Sequence, residues 1–142
     1  MKVYFSSAIL GARKNLPNSK RIVQILKNNG AHVLSEHVVM DNVHDFECTK
    51  THSEIYARDI TWVDEAECLV AEISEPSLGV GVEVEHAAQR GIPILCLFPE
   101  SSQRVSAMVC GNPRVKTKQY NEENLERTIC EFLNSVARTK DI

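Results

Sequence analysis

Three stretches of the chain combine residue types that can act at a sugar or a phosphate. In Ser77-Leu78-Gly79-Val80-Gly81, glycines coincide with a predicted helix start, where backbone N–H groups and the helix dipole favour an anion such as phosphate. Glu83 follows in the first turn of this predicted helix, and Glu85 comes two residues later on a different side, so only one of these carboxylates faces a given cleft. Asp59 lies in the patterned stretch Tyr56-Ala57-Arg58-Asp59-Ile60-Thr61-Trp62. A cleft with two carboxylates suits glycoside chemistry, in which one is nucleophile or stabilises the oxocarbenium-like state and the other handles protons.

Each feature also has a plainer reading. The glycines can form an ordinary tight connection, Glu83 can complement a helix N-terminus, and Asp59 can be an exposed helical carboxylate paired with Arg58 or Lys50. Spacing alone does not show that Asp59 and Glu83 meet. Tyr4 can pack in the core or offer its hydroxyl to a carboxylate. His37 ends a predicted strand and therefore belongs to the cleft region or to a structural hydrogen bond. No comparable positional argument attaches to His32, His44, His52 or His86.

The elements that position these residues follow from apolar patterning, which switches between short β-branched runs and helical periods as in a βαβ chain with a parallel sheet. Strands are predicted at Val3 to Ser6, Ala31 to Ser35, Cys68 to Ile73, Ile92 to Phe98 and Val115 to Gln119. Helices are predicted at Asn18 to Asn29, Ile55 to Glu65, Val80 to Arg90, Glu122 to Val136 and, as a short piece, Arg104 to Val109. Met40 to Glu54 reads as a long loop or a loop with a short helical turn. The expected architecture is an α/β fold with a doubly wound, five-stranded parallel sheet in flavodoxin/Rossmann-like order 2-1-3-4-5, helices on both faces and right-handed crossovers. In such sheets ligands bind outside the carboxyl ends of the strands, where Ser6 to Arg13, Glu36 onward and Glu72 to Gly81 should converge.

Bulk composition narrows the class. The 142 residues fit one domain spanning 1–142, long enough to bury roughly two-thirds of its unfolded surface without disulfides. With 43% hydrophobic and 25% charged residues, disordered, collagen-like and coiled-coil classes are disfavoured. A formal charge of -3 gives no basic field for a nucleic-acid polymer. No apolar run approaches the roughly 20 residues that span a bilayer, and no signal-peptide core follows Met1, so no membrane partner is expected and a cytoplasmic or nuclear location is. The five cysteines, without Cys-x-x-Cys spacing, read as reduced thiols. The histidines lack paired ligand spacing, so no metal is expected.

Val3-Tyr4-Phe5-Ser6, Ser35-Glu36-His37-Val38, Arg58-Asp59-Ile60-Thr61-Trp62, Val70 to Glu83 with its Pro-Ser-Leu-Gly-Val-Gly-x-Glu stretch, Ile94-Leu95-Cys96-Leu97-Phe98 and Val105-Ser106-Ala107-Met108 together resemble the 2′-deoxynucleoside 5′-monophosphate N-hydrolases of the nucleoside 2-deoxyribosyltransferase superfamily, in the same order. The resemblance implies hydrolysis of a 2′-deoxynucleoside 5′-monophosphate to free base and 2-deoxyribose 5-phosphate without a cofactor. It implies that Glu83 is the nucleophile, that Asp59 serves the leaving base and then the water, and that Tyr4 orients the nucleophile. It matches Ser77 to a phosphate-binding serine, and the converging loops add Ser7, Ile9, Gly11 and Arg13 in the first loop, His37 after the second strand, and Gly79 and Gly81 at the third to the expected substrate-binding set. Ser106 and Met108 complete that set in a homodimer, with Ser106 reaching the neighbouring active site.

The first loop departs from the family pattern Gly-Ser-Ile-Arg-Gly-Gly, because this chain has Ser7-Ala8-Ile9-Leu10-Gly11-Ala12. A serine hydroxyl and an arginine of the phosphate pocket are thereby replaced. A lost charge-assisted phosphate contact costs about 1.5 to 3 kcal/mol, with Arg13 a candidate substitute. Three other readings share parts of the pattern. A nucleoside 2-deoxyribosyltransferase would hand the sugar to another base. A ribonucleotide hydrolase of the cytokinin-activating type would carry Pro-Gly-Gly-x-Gly-Thr, which is absent. A non-catalytic nucleotide-binding module would bind without turnover.

Overall fold

The computed structural model describes residues 1–11 and 13–141; Ala12 of the first-loop pattern and Ile142 at the end of the expected domain lie outside it. Five strands, β1 (Lys2–Ser7), β2 (His32–Val33), β3 (Cys68–Glu72), β4 (Ile94–Pro99) and β5 (Lys116–Tyr120), form one sheet in the order β2-β1-β3-β4-β5. Every pairing is parallel, as the alternation of short apolar runs with helical periods predicts. The central strand β3 is buried at all five positions, as expected where helices cover both faces. At the edge, β5 carries Lys116 and Lys118 on a largely exposed strand, which discourages pairing with a further chain.

Strand parity divides the core in two. Val3, Phe5, Val70, Leu95 and Leu97 pack under α1 (Leu16–Asn28), with Ile22 and Leu26 from that helix and Ile129 and Phe132 of the terminal helix. Tyr4, Leu69, Ala71 and Cys96 turn to the other face with Val63, Val80, Val84 and Ala87. These last come from α3 (His52–Glu65) and α4 (Leu78–Gln89). The second face is the one that leads to the candidate site.

Several element ends differ from the sequence reading. β2 stops after two residues because the Ser35 side chain takes over the ladder, accepting from Phe5 N (2.9 Å) and donating to Phe5 O (2.6 Å). The chain then turns through a 3-10 segment, Glu36–Val39, which carries His37. The polar stretch after Met40 contains α2 (Val43–Glu47). α3 begins three residues before the expected Ile55, since Thr51 caps it by accepting from Glu54 N at 3.1 Å. Thr51-His52-Ser53-Glu54 is a capping-box pattern.

α4 likewise starts at Leu78, two residues earlier than expected, with Ser77 as its N-cap accepting from Val80 N. Glu83 therefore lies in the second turn; the first turn has no acidic residue. This corrects the placement of Glu83 in the first turn and removes the geometry that a helix-terminus complement requires, because the dipole effect fades within one turn. α5 is only Ala107–Cys110, capped by Ser106, and α6 runs from Leu125 to Lys140.

Candidate active site

The strand order reverses between β1 and β3, and the loops that leave these strands open a crevice at their carboxyl ends. A cavity of about 360 Å³ occupies it. Tyr4, Ser6 and Ser7 rise from β1, Ile9 and Leu10 from the following loop, and His37 from the 3-10 turn. The opposite walls are His44 and Glu47 of α2, His52, Ile55 and Asp59 of α3, and Ser77, Gly79 and Glu83 around α4. An adjoining apolar recess of about 300 Å³ shares Asp59, Gly79 and Glu83 and continues along Ile55, Tyr56, Ile60 and Val82.

Tyr4, His37, Asp59, Ser77, Gly79 and Glu83 thus share one cavity with Ser7 and Ile9. Gly81 and Ser106 instead line a separate hollow of about 430 Å³ on the far side of Ser77, together with Glu75 and Arg104. Gly11 and Met108 line neither; Met108 is 87% exposed. Arg13 is left-handed at φ 50°, and its guanidinium donates to Met40 O (2.8 Å) and Val38 O (2.5 Å). Two of its donors thereby brace the 3-10 turn, and its side chain borders a small hollow beside Glu72, apart from the main cavity.

Four functional candidates escaped the sequence reading. Glu47 comes from the stretch read as loop and binds Arg58 through both oxygens, Oε1 at 2.8 Å from Nη2 and Oε2 at 3.2 Å from Nη1. Arg58 donates from Nε to Asp59 Oδ1 at 2.8 Å, so one planar cation joins the two carboxylates. The guanidinium is held over Trp62 and Phe46, 5.0 and 5.9 Å from the ring centres. His37 stacks on Phe46 at 5.0 Å and meets Glu47 Oε1 through Nε2 at 2.9 Å. Among the described residues its buried Nδ1 has no partner. His44 and His52 complete the polar wall.

These contacts shape the ionisation of the site. Burial pushes the Glu83 carboxyl up to about 7 and the nearby Asp59 charge adds to this, while the Tyr4 and Ser6 hydroxyls and Arg58 act the other way. Asp59 is raised chiefly by burial, against the hydrogen bond and charge of Arg58. A like charge on a neighbouring carboxyl disfavours ionisation, so the Asp59 carboxylate reinforces the effect of burial on Glu83. Burial, then the charges of Glu83 and Asp59, drives Tyr4 upward, so it remains a hydroxyl donor. Burial and Arg58 lower His37, which favours the neutral ring. Burial also tends to raise Glu47, but Arg58 and His37 more than offset this and its pKa falls. Among the described residues no group of three or more His, Cys, Asp or Glu side chains is arranged to hold a metal ion.

The arrangement defines a class: a parallel α/β protein whose switch-point cleft carries two carboxyls, a tyrosine hydroxyl and a capped helix start. Residues 3–127 match the family model described as nucleoside 2-deoxyribosyltransferase. The chain is 34% identical over 143 residues to the 5-hydroxymethyl-dUMP N-hydrolase of Danio rerio, covering 97% of this chain and 99% of that one. It is 37% identical over 139 residues to the Mus musculus protein of the same name, covering 94% and 80%. A Methanococcoides burtonii protein that carries the name 2′-deoxynucleoside 5′-phosphate N-hydrolase 1 provisionally is 44% identical over 113 residues, 79% of this chain and 91% of that one. The chain belongs to the nucleoside 2-deoxyribosyltransferase family.

Solved structures share the fold at low identity. A Clostridium botulinum CMP N-glycosidase superposes with a TM-score of 0.63 at 19% identity, covering 92% of this chain and 99% of that one. A Bacillus psychrosaccharolyticus 2-deoxyribosyltransferase gives 0.63 at 15%, covering 87% and 88%.

Proposed function

We propose that this chain hydrolyses the N-glycosidic bond of 2′-deoxynucleoside 5′-monophosphates, releasing the free base and 2-deoxyribose 5-phosphate. The carrying observation is that Glu83 and Asp59 line one cavity, each with a raised pKa, beside the Tyr4 hydroxyl. In the productive singly protonated form the proton sits on Asp59. Glu83 attacks the anomeric carbon, the C–N bond breaks, and Asp59 delivers its proton to the departing base. The Asp59 carboxylate then takes a proton from water, whose oxygen displaces Glu83 and regenerates the pair.

Tyr4 donates to Glu83 and holds its attacking oxygen in place. Ser77, Ser7 and the free amides at the α4 start receive the phosphate, and Ser106 completes that pocket from a second copy in a homodimer. Leu78, Val82 and Met108, exposed at 94%, 53% and 87%, supply apolar surface for such an association. A monomeric mass in sedimentation with full activity contradicts the dimeric part. The apolar recess beyond Asp59 receives the base. Free thiols at Cys68 and Cys96, each pushed up to about 12 chiefly by burial, suit a cytoplasmic or nuclear setting. No helix among the described residues is long and apolar enough to cross a membrane.

The test is base release from deoxynucleoside monophosphates, the matching ribonucleotides and unphosphorylated deoxynucleosides, with wild type and Glu83→Ala side by side and an acceptor base in parallel. Release confined to deoxynucleoside monophosphates and abolished in the variant supports the reading. A new nucleoside formed from the acceptor base identifies a transferase instead, and binding without release identifies a non-catalytic module.

A further inference from the structure

Ser6 is 1% exposed, borders the cavity, and its Oγ has no hydrogen-bond partner at normal geometry among the described residues. A buried hydroxyl without a partner costs free energy and calls for a role. Parity supplies its direction: Ser6 lies two residues beyond Tyr4 on β1, so both side chains rise from the same face. That face is the one packed under α3 and α4, and the residue paired with Ser6 on β3 is the small Ala71. Little side-chain bulk therefore stands beside the serine at the floor below Glu83.

Resting on the proposed role of Glu83 as nucleophile, we propose that Ser6 is a second positioning residue for it, forming with Tyr4 a two-hydroxyl clamp from one strand that fixes the Glu83 carboxylate during attack. Two donors from a rigid strand define the direction of a carboxylate better than one, because a single hydrogen bond leaves the group free to rotate about it. The clamp works against the groups that disfavour the ionised form. Asp59 faces Glu83 from α3 with a like charge, while Arg58 adjoins the pair with an opposite one. His52 lines both cavities that contain Glu83. Consistent with a clamp, the Ser6 hydroxyl lowers the Glu83 pKa, in the same sense as Tyr4.

Two readouts test this. The first follows the Glu83 carboxyl directly by NMR titration of protein labelled at the glutamate side-chain carboxyl carbon, with Glu83→Gln used for assignment. Ser6→Ala should raise the midpoint by about one pH unit, a tenfold change in ionisation, and Ser6→Thr, which keeps the hydroxyl, should restore most of the shift. The second is the pH dependence of kcat/KM for base release, whose acid limb should move upward with the same midpoint while the melting temperature stays near wild type. An unmoved Glu83 midpoint in Ser6→Ala overturns the proposal. So does a rise in KM alone, which would make Ser6 a substrate contact. If wild type releases no base, the hydrolase reading fails, yet the NMR titration still decides whether the clamp exists.

Discussion

A methyl group placed on Gly79 would sit 3.9 Å from Glu83 Oε1 and 3.9 Å from Ser77 Oγ. Gly79 and Glu83 are four residues apart on α4 and so share a face, and the missing side chain leaves open the space between the carboxylate and the capping hydroxyl. At 3.9 Å the added carbon is in ordinary contact. Gly79→Ala should therefore fold as well as wild type, or gain about 0.5 to 1 kcal/mol from the higher helix propensity of alanine. It should also narrow the place where sugar and phosphate meet. The expected result is an unchanged or higher melting temperature with KM raised about tenfold; steady-state kinetics and a thermal melt check both halves.

The Glu83 carboxyl works against the fold above acidic pH. Its pKa rises from 4.5 to about 7, mainly by burial, so the folded state binds more protons than the unfolded state between those values. The stabilisation from the protonated carboxyl is fully present below about 4.5 and is lost as pH rises through about 7. Glu83→Gln, which cannot ionise, should match wild type near pH 4. At pH 8 it should be more stable by about 1 to 3 kcal/mol, toward the lower end because cleft water screens the charge. Urea unfolding at the two pH values measures this, and an equal difference at both contradicts it.

Arg58 balances Asp59 against Glu47, and its removal has two separable effects. Arg58→Met keeps the stacked stem between Phe46 and Trp62 but leaves Glu47 largely buried without its partner, which should cost about 2 to 4 kcal/mol. Asp59 also loses the cation that holds its pKa down, so the basic limb of the activity profile should move to higher pH. A calorimetric melt and a kcat/KM profile report the two effects independently.

Arg13 and Leu10 make separate predictions for the first loop. Because Arg13 is bound to the carbonyls of Val38 and Met40, Arg13→Ala should impair phosphorylated and unphosphorylated substrates by similar factors through movement of the turn that carries His37. A loss confined to monophosphates would show that Arg13 binds the phosphate after all. Leu10 is 75% exposed at the cleft, so Leu10→Arg should lower KM for monophosphates about tenfold or more, from a contact of about 1.5 to 3 kcal/mol, without changing KM for nucleosides.

Sheet order was legible because near-continuous apolar strands such as Leu69–Ala71 and Leu95–Leu97 alternate with helical periods. The cleft position followed from that order. The pairing of Asp59 with Arg58 was legible as one of two alternatives, but its extension was not: Glu47 reaches Arg58 from a five-residue helix too short to show a period. The role of Arg13 depends on a left-handed backbone that a non-glycine residue rarely announces. Two signals were present and unused. Thr51-x-x-Glu54 marks the true start of α3, and the two-residue spacing of Tyr4 and Ser6 places both hydroxyls on one strand face. The helix start at Ser77 moved Glu83 from the first turn to the second, which changes its meaning from a helix-end charge to a cleft group.

Bond formation between Glu83 and the sugar can be trapped directly. Turnover of a deoxynucleoside monophosphate should be stopped in acid within milliseconds, and the digested protein mapped by mass spectrometry. The expected result is a 2-deoxyribosyl 5-phosphate ester on the peptide containing Glu83, formed as base is released and lost when turnover ends. Base release at the wild-type rate with no adduct on Glu83, and retained in Glu83→Ala, would contradict it.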